Sequence, residues 1–391
     1  MGAAAAPARP TRLGEDLAEI ERVLADLARL HAGAGYSPVQ PPHLFPAELL
    51  LDLYGEDIRG RAFLFPGGGG DEEICLRPDF TVPLAVSHGA RGWERPAKYA
   101  YQGPVFRRQE AGSSRPAEYL QAGIENVGAA DPAAAEAGVL SLTLAALEGI
   151  GVEGAAIVTG DLGIVFALLE ALEMPEHRRA RLRRHVWRPA RFHRMVEEAV
   201  AGPPPRSARR EALIAAAGAP DAGARIAVLA EEAGEILGAR EVDEIVQRAR
   251  ALARAAEEPP MPVEQARLIE AVLGLEGPSG EALTALRRLA GEADVNIACA
   301  LDSFERRLDA FNRAGLDGEA LPFDASFGRS LEYYDGFVFE ITAEDRPGVP
   351  PLAGGGRYDS LLRRLGAARA IPAVGAMVRP EAAIAARGGT A

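Results

Sequence analysis

Two cysteines in 391 residues, Cys75 and Cys299, are too few and too far apart for a disulfide framework or a zinc-ligand set. That scarcity fits a reduced, cytoplasmic compartment. Neither a metal nor a cofactor is expected. Lysine is almost missing: Lys98 is the only one, and the rest of the positive charge is arginine. In so alanine-rich a chain this reads as genomic bias rather than function. Basic charge as a whole is in deficit. The net charge of −13 argues against a nucleic-acid partner, since phosphate binding takes a basic stripe. No apolar run is long enough to span a membrane. The first residues, MGAAAAPARPTR, lack the apolar core of a signal peptide, and Ala6 stands where a myristoylation site needs Ser or Thr. No repeat of about 20–50 residues is present. What is there is ordinary for a globular protein: 48% hydrophobic and 25% charged residues. The length allows two or three domains.

Residues 1–12 are low-complexity and read as a flexible N-terminus. Leu13, Leu17, Ile20, Leu24, Leu27 and Leu30 recur at steps of three and four, which predicts an amphipathic helix ended by Gly33 and Gly35. The proline-punctuated YSPVQPPHLFP follows as an extended segment, then a short helix near Ala47–Tyr54. Residues 61–86 predict a hairpin, RAFLF and EICLRPDFTVPLA around PGGGG, with Asp79 and Thr81 on one strand face. From about 176 to 290 the chain is rich in Arg, Ala and Glu and predicts helices, broken at 202–205, 257–262 and 276–280. The runs RRARLRRH and RPARFHR in this segment are either a patch for an anionic partner or a solvated helix face. His177, His185 and His193 are spaced by eight, not by the four of a helical metal pair, and are expected at the surface. Val295–Leu301 reads as a strand and Ser303–Ala314 as a helix.

The richest stretch is Lys98–Gly128. It predicts a β-hairpin with strands near Tyr99–Arg108 and Ala117–Val127 around a polar loop. Alternation puts Gln121, Gly123 and Glu125 on one face, with Arg107 able to lie beside them. An arginine, an amide and a carboxylate beside a glycine form either a solvated sheet face or a ligand floor.

The motifs that decide between these carry a family resemblance. The helix, the proline-rich strand and the hairpin resemble the opening signatures of class II aminoacyl-tRNA synthetases, and the details resemble the histidyl-tRNA synthetases. LRPDFT is similar to their LRPE-T string, with Asp79 where Glu is usual. Phe106, Arg107, Gln121 and Glu125 match the second signature. FGRSLEYYDGFVFEIT matches the histidine-specific signature at Arg329, Tyr333, Tyr334, Gly336, Phe339 and Glu340. LAGGGRYDSLL matches the family's GGGRYD. The departures are as informative. Gln109 and Ala117 replace a loop glutamate and a loop arginine. In the third signature Arg379 replaces a glycine, and Ala382 replaces the arginine that clamps ATP. The third signature lies close to residue 391, so no anticodon-binding domain of the synthetase kind is expected.

Retention of the amino-acid pocket with loss of the ATP apparatus resembles the regulatory subunits of ATP phosphoribosyltransferase, paralogues of histidyl-tRNA synthetase in histidine biosynthesis. The resemblance implies an α+β fold: an antiparallel sheet flanked by helices, with core segments at 13–175 and 291–391 and a helical insertion at 176–290. It implies no catalytic residue of its own. It implies assembly, as a homodimer within a hetero-octamer, with a short-form catalytic subunit that needs this chain for activity and for allosteric feedback inhibition by L-histidine. The implied histidine-binding residues are Asp79, Thr81, Arg107, Gln121, Glu125, Arg329, Tyr333 and Tyr334. Chemically, Arg329 suits the ligand carboxylate through its planar fork. Asp79, Thr81 and Gln121 can accept from the ammonium group. Glu125 with a tyrosine hydroxyl suits the ring nitrogens, and Arg107 is a ligand or switch residue. Two other readings stay open: a histidyl-tRNA synthetase-like or other adenylate-forming ligase domain, and a nucleic-acid-binding relic.

Overall fold

Ile20, Val23, Leu27 and His31 recur at three- and four-residue steps, and they form the buried face of the first helix, α1 (Gly14–Gly33). Leu13 and Leu17, expected on that stripe, are exposed. Gly35, with φ at +83°, turns the chain out of the helix. The computed structural model describes residues 11–54, 60–67, 72–109, 113, 115–202, 207–232, 242–329, 331–346 and 348–387. The expected flexible tail up to residue 10, the glycine turn at 68–70, the hairpin tip at 110–112 and 114, the prolines at 203–205 and Ser330 lie outside the described residues.

The chain divides into two compact units, Met1–Ala167 with Val272–Ala391, and Leu168–Ala271. The first is built on a nine-stranded sheet. Its strands in chain order are β1 (Ser37–Pro38), β5 (Ala97–Phe106), β6 (Glu118–Val127), β7 (Ala155–Asp161), β8 (Glu276–Pro278), β9 (Pro322–Asp324), β10 (Phe337–Ala343), β11 (Ala353–Arg357) and β12 (Ala373–Val378). A small sheet holds β2 (Leu44–Pro46), β3 (Leu64–Pro66) and β4 (Glu73–Leu76). The large sheet runs in the order β1-β5-β6-β12-β11-β10-β7-β9-β8. All its pairings are antiparallel except β1 with β5 and β7 with β9. The expected α+β class is what is found. The hairpin of β5 and β6 pairs ten residues on each strand, from Ala97 opposite Val127 to Phe106 opposite Glu118. The glycines of β11 let it lie close between β10 and β12; a Cβ at Gly355 would press on the backbone of Gly375 and Ala376.

Helices flank the sheet. After α2 (Ala47–Tyr54) come α3 (Thr81–Gly89) and α4 (Pro132–Ile150). Asp131 caps α4 by accepting from Ala134 N at 3.1 Å, Pro132 fits its first turn, and Gly151 ends it at φ +90°. By length and composition α4 is apolar enough to cross a membrane, contrary to the expectation that no run is. It packs on β12 and β11 within the unit, and half of its most apolar stretch is buried there. The chain goes on through α5 (Leu162–Ala171).

The second unit is helical. It contains α6 (Glu176–His185), α7 (Pro189–Ala201), α8 (Ala208–Gly218), α9 (Ala222–Glu232), α10 (Val242–Glu257) and most of α11 (Val263–Leu273). Ala216, Ala217, Ala222, Ile226, Val246 and Ala249 form a small core among α8, α9 and α10. The arginine run of α6 is largely satisfied within the unit. Arg178 is buried against Glu258 at 3.2 Å, and Arg183 reaches Glu170 at 2.8 Å. His177 and His193 are half-buried, on Glu258 and Glu270. Composition places the helical insertion at 176–290, yet residues 272–290 belong to the first unit. There β8 pairs with β9, and α12 (Ser279–Glu292) packs on α13 (Ala298–Arg313). The strand expected at Val295–Leu301 is instead a connecting segment, 295–297, followed by the first turn of α13. Its apolar residues Leu301, Phe304, Leu308 and Phe311 continue at helical, not strand, spacing. Two short helices close the chain, α14 (Asp359–Arg364) and α15 (Pro380–Ala386).

Candidate functional site

Strand alternation puts Gln121, Gly123 and Glu125 on one face of β6, in the middle of the large sheet. A side chain can be buried in the middle of a sheet only where its neighbour makes room. Across the ladder Glu125 faces Gly375 of β12. A Cβ at Gly375 would collide with the Glu125 carboxylate and stand 2.7 Å from the Ile124 carbonyl. Gly354 makes the same room for the guanidinium of Arg329.

Asp79 and Thr81 reach this face by a different route from the one expected. They do not share a strand, because the chain turns after β4 and α3 begins at Thr81. Asp79 accepts from Val82 N at 3.4 Å, which favours the turn. Arg77 anchors it by donating to the carbonyls of Pro41 (2.6 Å) and Pro104 (2.9 Å). Thr81 then donates to Glu125 Oε1 at 2.7 Å. Tyr333 donates to Asp79 Oδ2 and to Thr81 Oγ1, each at 3.4 Å. Arg107, just past β5, donates to the Pro78 carbonyl at 2.8 Å. Arg329 spends one nitrogen on the Phe339 carbonyl (3.0 Å) and Glu340 (3.4 Å), and its Nε is buried with no hydrogen-bond partner among the described residues.

Asp79, Thr81, Arg107, Gln121, Glu125, Arg329, Tyr333 and Tyr334 all line one narrow cavity, with a volume of about 20 Å³. Leu331, Met377 and the two glycines complete much of the wall. Two tyrosines that the sequence left without a role also matter. Tyr101 reaches Glu125 Oε1 at 3.5 Å, held by stacking on Phe80 at 4.3 Å between ring centroids. Tyr358 donates to Glu125 Oε2 and packs edge-on against Tyr333 and Tyr334. Tyr358 lies inside the string LAGGGRYDSLL, so its signal was present, but only the fold turns its hydroxyl toward β6. Its neighbours fix it. Arg357 pairs with Asp359 at 2.6 Å and Glu136 at 3.3 Å, and Asp335 accepts from the amides of Asp359 (3.0 Å) and Ser360 (2.6 Å).

Complete burial pushes Glu125 up to about 7, against the hydrogen bonds from Tyr358, Thr81 and Tyr101 that favour its charged form. Below about pH 4.5 both the folded and unfolded chains hold the proton, and this group's contribution to stability is intact. Between about 4.5 and 7 only the folded state holds it, so stability falls as pH rises through that window. Glu125→Gln is expected to remove that fall. Urea unfolding from pH 4.5 to 8 checks it: the gap between variant and wild type grows with pH, and parallel profiles refute it. Gly375→Ala tests the room beside the carboxylate. It is expected to cost about 1–3 kcal/mol by overpacking, again read by urea titration.

Among the described residues no cluster of His, Cys, Asp or Glu is placed to hold a metal. The cavity is lined by the carboxyl groups of Asp79 and Glu125, by the hydroxyls of Thr81 and three tyrosines, and by the guanidiniums of Arg107 and Arg329. That polarity suits a small zwitterion with a hydrogen-bonding ring.

The histidyl-tRNA synthetase family model matches residues 11–264 and 247–383. A protein of Brucella canis called ATP phosphoribosyltransferase regulatory subunit is 36% identical over 341 residues, covering 86% of this chain and 89% of its own. Its namesake in Brucella ovis is equally similar. This chain belongs to the ATP phosphoribosyltransferase regulatory subunit family. Among solved structures, one from Bacillus halodurans described as an ATP phosphoribosyltransferase regulatory subunit/histidyl-tRNA synthetase aligns with a TM-score of 0.69 at 23% identity, over 97% of this chain and 82% of that one. Histidyl-tRNA synthetase from Nostoc aligns at 0.61 and 16% identity, over 96% and 73%. The class II synthetase-like fold is therefore shared across both. Membership of the regulatory subunit family makes the chain a non-catalytic subunit.

Proposed function

We propose that this regulatory subunit binds L-histidine in the Glu125 cavity. Assembled in the cytoplasm with a short-form catalytic subunit, it makes ATP phosphoribosyltransferase active and sensitive to feedback inhibition. The observation that carries the reading is the cavity itself. Eight residues from four separate segments line it together, among them the buried Glu125 carboxyl and two arginines. Glu125 and a tyrosine hydroxyl serve the imidazole, Asp79, Thr81 and Gln121 the ammonium group, and Arg329 with Arg107 the carboxylate. A site of this kind rejects analogues that leave its polar groups unpaired. The cavity has little room to spare, so closing over histidine and repositioning the catalytic subunits are linked. A coupling free energy of about 1–3 kcal/mol is enough for inhibition. The homodimer within a hetero-octamer is part of the same proposal.

The test is co-purification with a short-form catalytic subunit, followed by assay with and without L-histidine. Activity that needs both chains and falls with histidine supports the reading; activity indifferent to histidine refutes it. The second reading, an adenylate-forming ligase, draws on Arg107 and Arg329 both reaching the cavity. Purified protein with histidine and ATP is expected to show no pyrophosphate exchange, and robust exchange would establish the ligase instead.

A further inference from the structure

The two arginines of the cavity are backed by a third. Arg379 follows β12 with an extended backbone (φ −99°, ψ 98°), so alternation puts its side chain on the face of Gly375 and Met377. On β6, Tyr119 shares the face of Gln121 and Glu125. The Arg379 guanidinium lies 5.8 Å from the Tyr119 ring centroid, and that of Arg107 lies 6.0 Å from the same centroid. Arg379 donates to the Pro351 carbonyl and, among the described residues, has no carboxylate partner. Burial pushes it down to about 10, and nearby Arg329 and Arg107 push the same way against Tyr119 and Glu340. It therefore stays charged at neutral pH. A part-buried cation whose opposing carboxylate, Glu340, is shared with Arg329 is costly, and so is a buried donor without an acceptor. The bare Nε of Arg329 supplies the second of these independently. Both are relieved by an anion arriving beside these arginines.

We propose that Arg379 is a specificity-determining residue of the histidine pocket, keeping the wall beside Arg107 and Arg329 positive enough to retain only an amino acid with a free carboxylate. The proposal rests on the histidine reading above. Arg379 does not line the cavity, so it is a positioning residue. It acts by its field and by packing on Tyr119, against which Arg107 also lies, while the carboxylate is held by Arg329 and Arg107. A phosphate-type anion is the competing occupant.

The experiment is calorimetric titration of the full chain with L-histidine, with L-histidinol, which has a hydroxymethyl group in place of the carboxylate, and with inorganic pyrophosphate. Arg379→Gln is expected to weaken L-histidine binding about tenfold and leave L-histidinol within about twofold. Arg379→Lys, which restores the charge, recovers most of the loss. Equal losses on both ligands mean a merely structural role and overturn the proposal. Unchanged L-histidine affinity overturns it too, and if pyrophosphate binding is then lost, the cation belongs to a phosphate anion. Wild-type protein that does not bind L-histidine overturns the pocket reading and this proposal together.

Discussion

Replacing Glu125 by alanine is expected to weaken histidine inhibition of the reconstituted complex by at least about a hundredfold in histidine concentration, while assembly survives. The reason is the number of partners that depend on one carboxylate. Thr81, Tyr101 and Tyr358 all donate to it, and the ligand ring is proposed to do so as well. Leaving buried donors unsatisfied costs about 1–3 kcal/mol for each group, and 1.4 kcal/mol is a factor of ten. Tyr333→Phe removes one hydroxyl from Asp79 and Thr81 and is expected to cost about tenfold. Dose–response curves for histidine, with co-purification yield as the control, measure both. Unchanged inhibition in the two variants would refute the site. Loss of assembly in step with loss of inhibition would make Glu125 a structural residue.

The second large effect is on stability. Arg307 of α13 is 3% exposed and lies between Asp161 at 2.5 Å and Glu136 at 3.6 Å. Glu136 also holds Arg357, beside Tyr358. Arg307→Met is expected to destabilise the protein by about 3–5 kcal/mol, because it takes from buried Asp161 its ion-pair partner and leaves Glu136 with Arg357 alone, rather than because the ion pairs are strong. Converting Asp161 to Asn and Glu136 to Gln in the same chain is therefore expected to recover much of the loss. Urea unfolding of the two variants against wild type decides it, and a loss below about 1 kcal/mol for Arg307→Met would show that the carboxylates find other partners.

Much of the site was legible in one dimension. Alternation along β6 put Gln121 and Glu125 together correctly, because a strand's period of two is local. The pairing of Asp79 with Thr81 also survives in space, but for another reason. Alternation predicted a shared strand face, whereas a helix begins at Thr81 and Asp79 turns the chain into it. The misread strand at Val295–Leu301 has a similar origin. A short apolar run cannot be told from the first turn of a buried helix until its continuation is followed. Residues 272–290 were assigned to the helical insertion because composition is blind to which sheet a three-residue strand such as β8 will join.

The amino-acid sequence by itself determined the fold class, the family and eight of the residues that line the cavity, because motif order and spacing record local chemistry. Only the tertiary structure decided what those residues face. Gly375 and Gly354 matter through side chains that come to them from other strands. Tyr358 matters through a carboxylate 233 positions away. Arg379 matters through a ring on β6 and two arginines from other segments. Burial and charge compensation are properties of neighbours in space, and the order of residues along the chain does not contain them until the sheet has brought β6, β11 and β12 side by side.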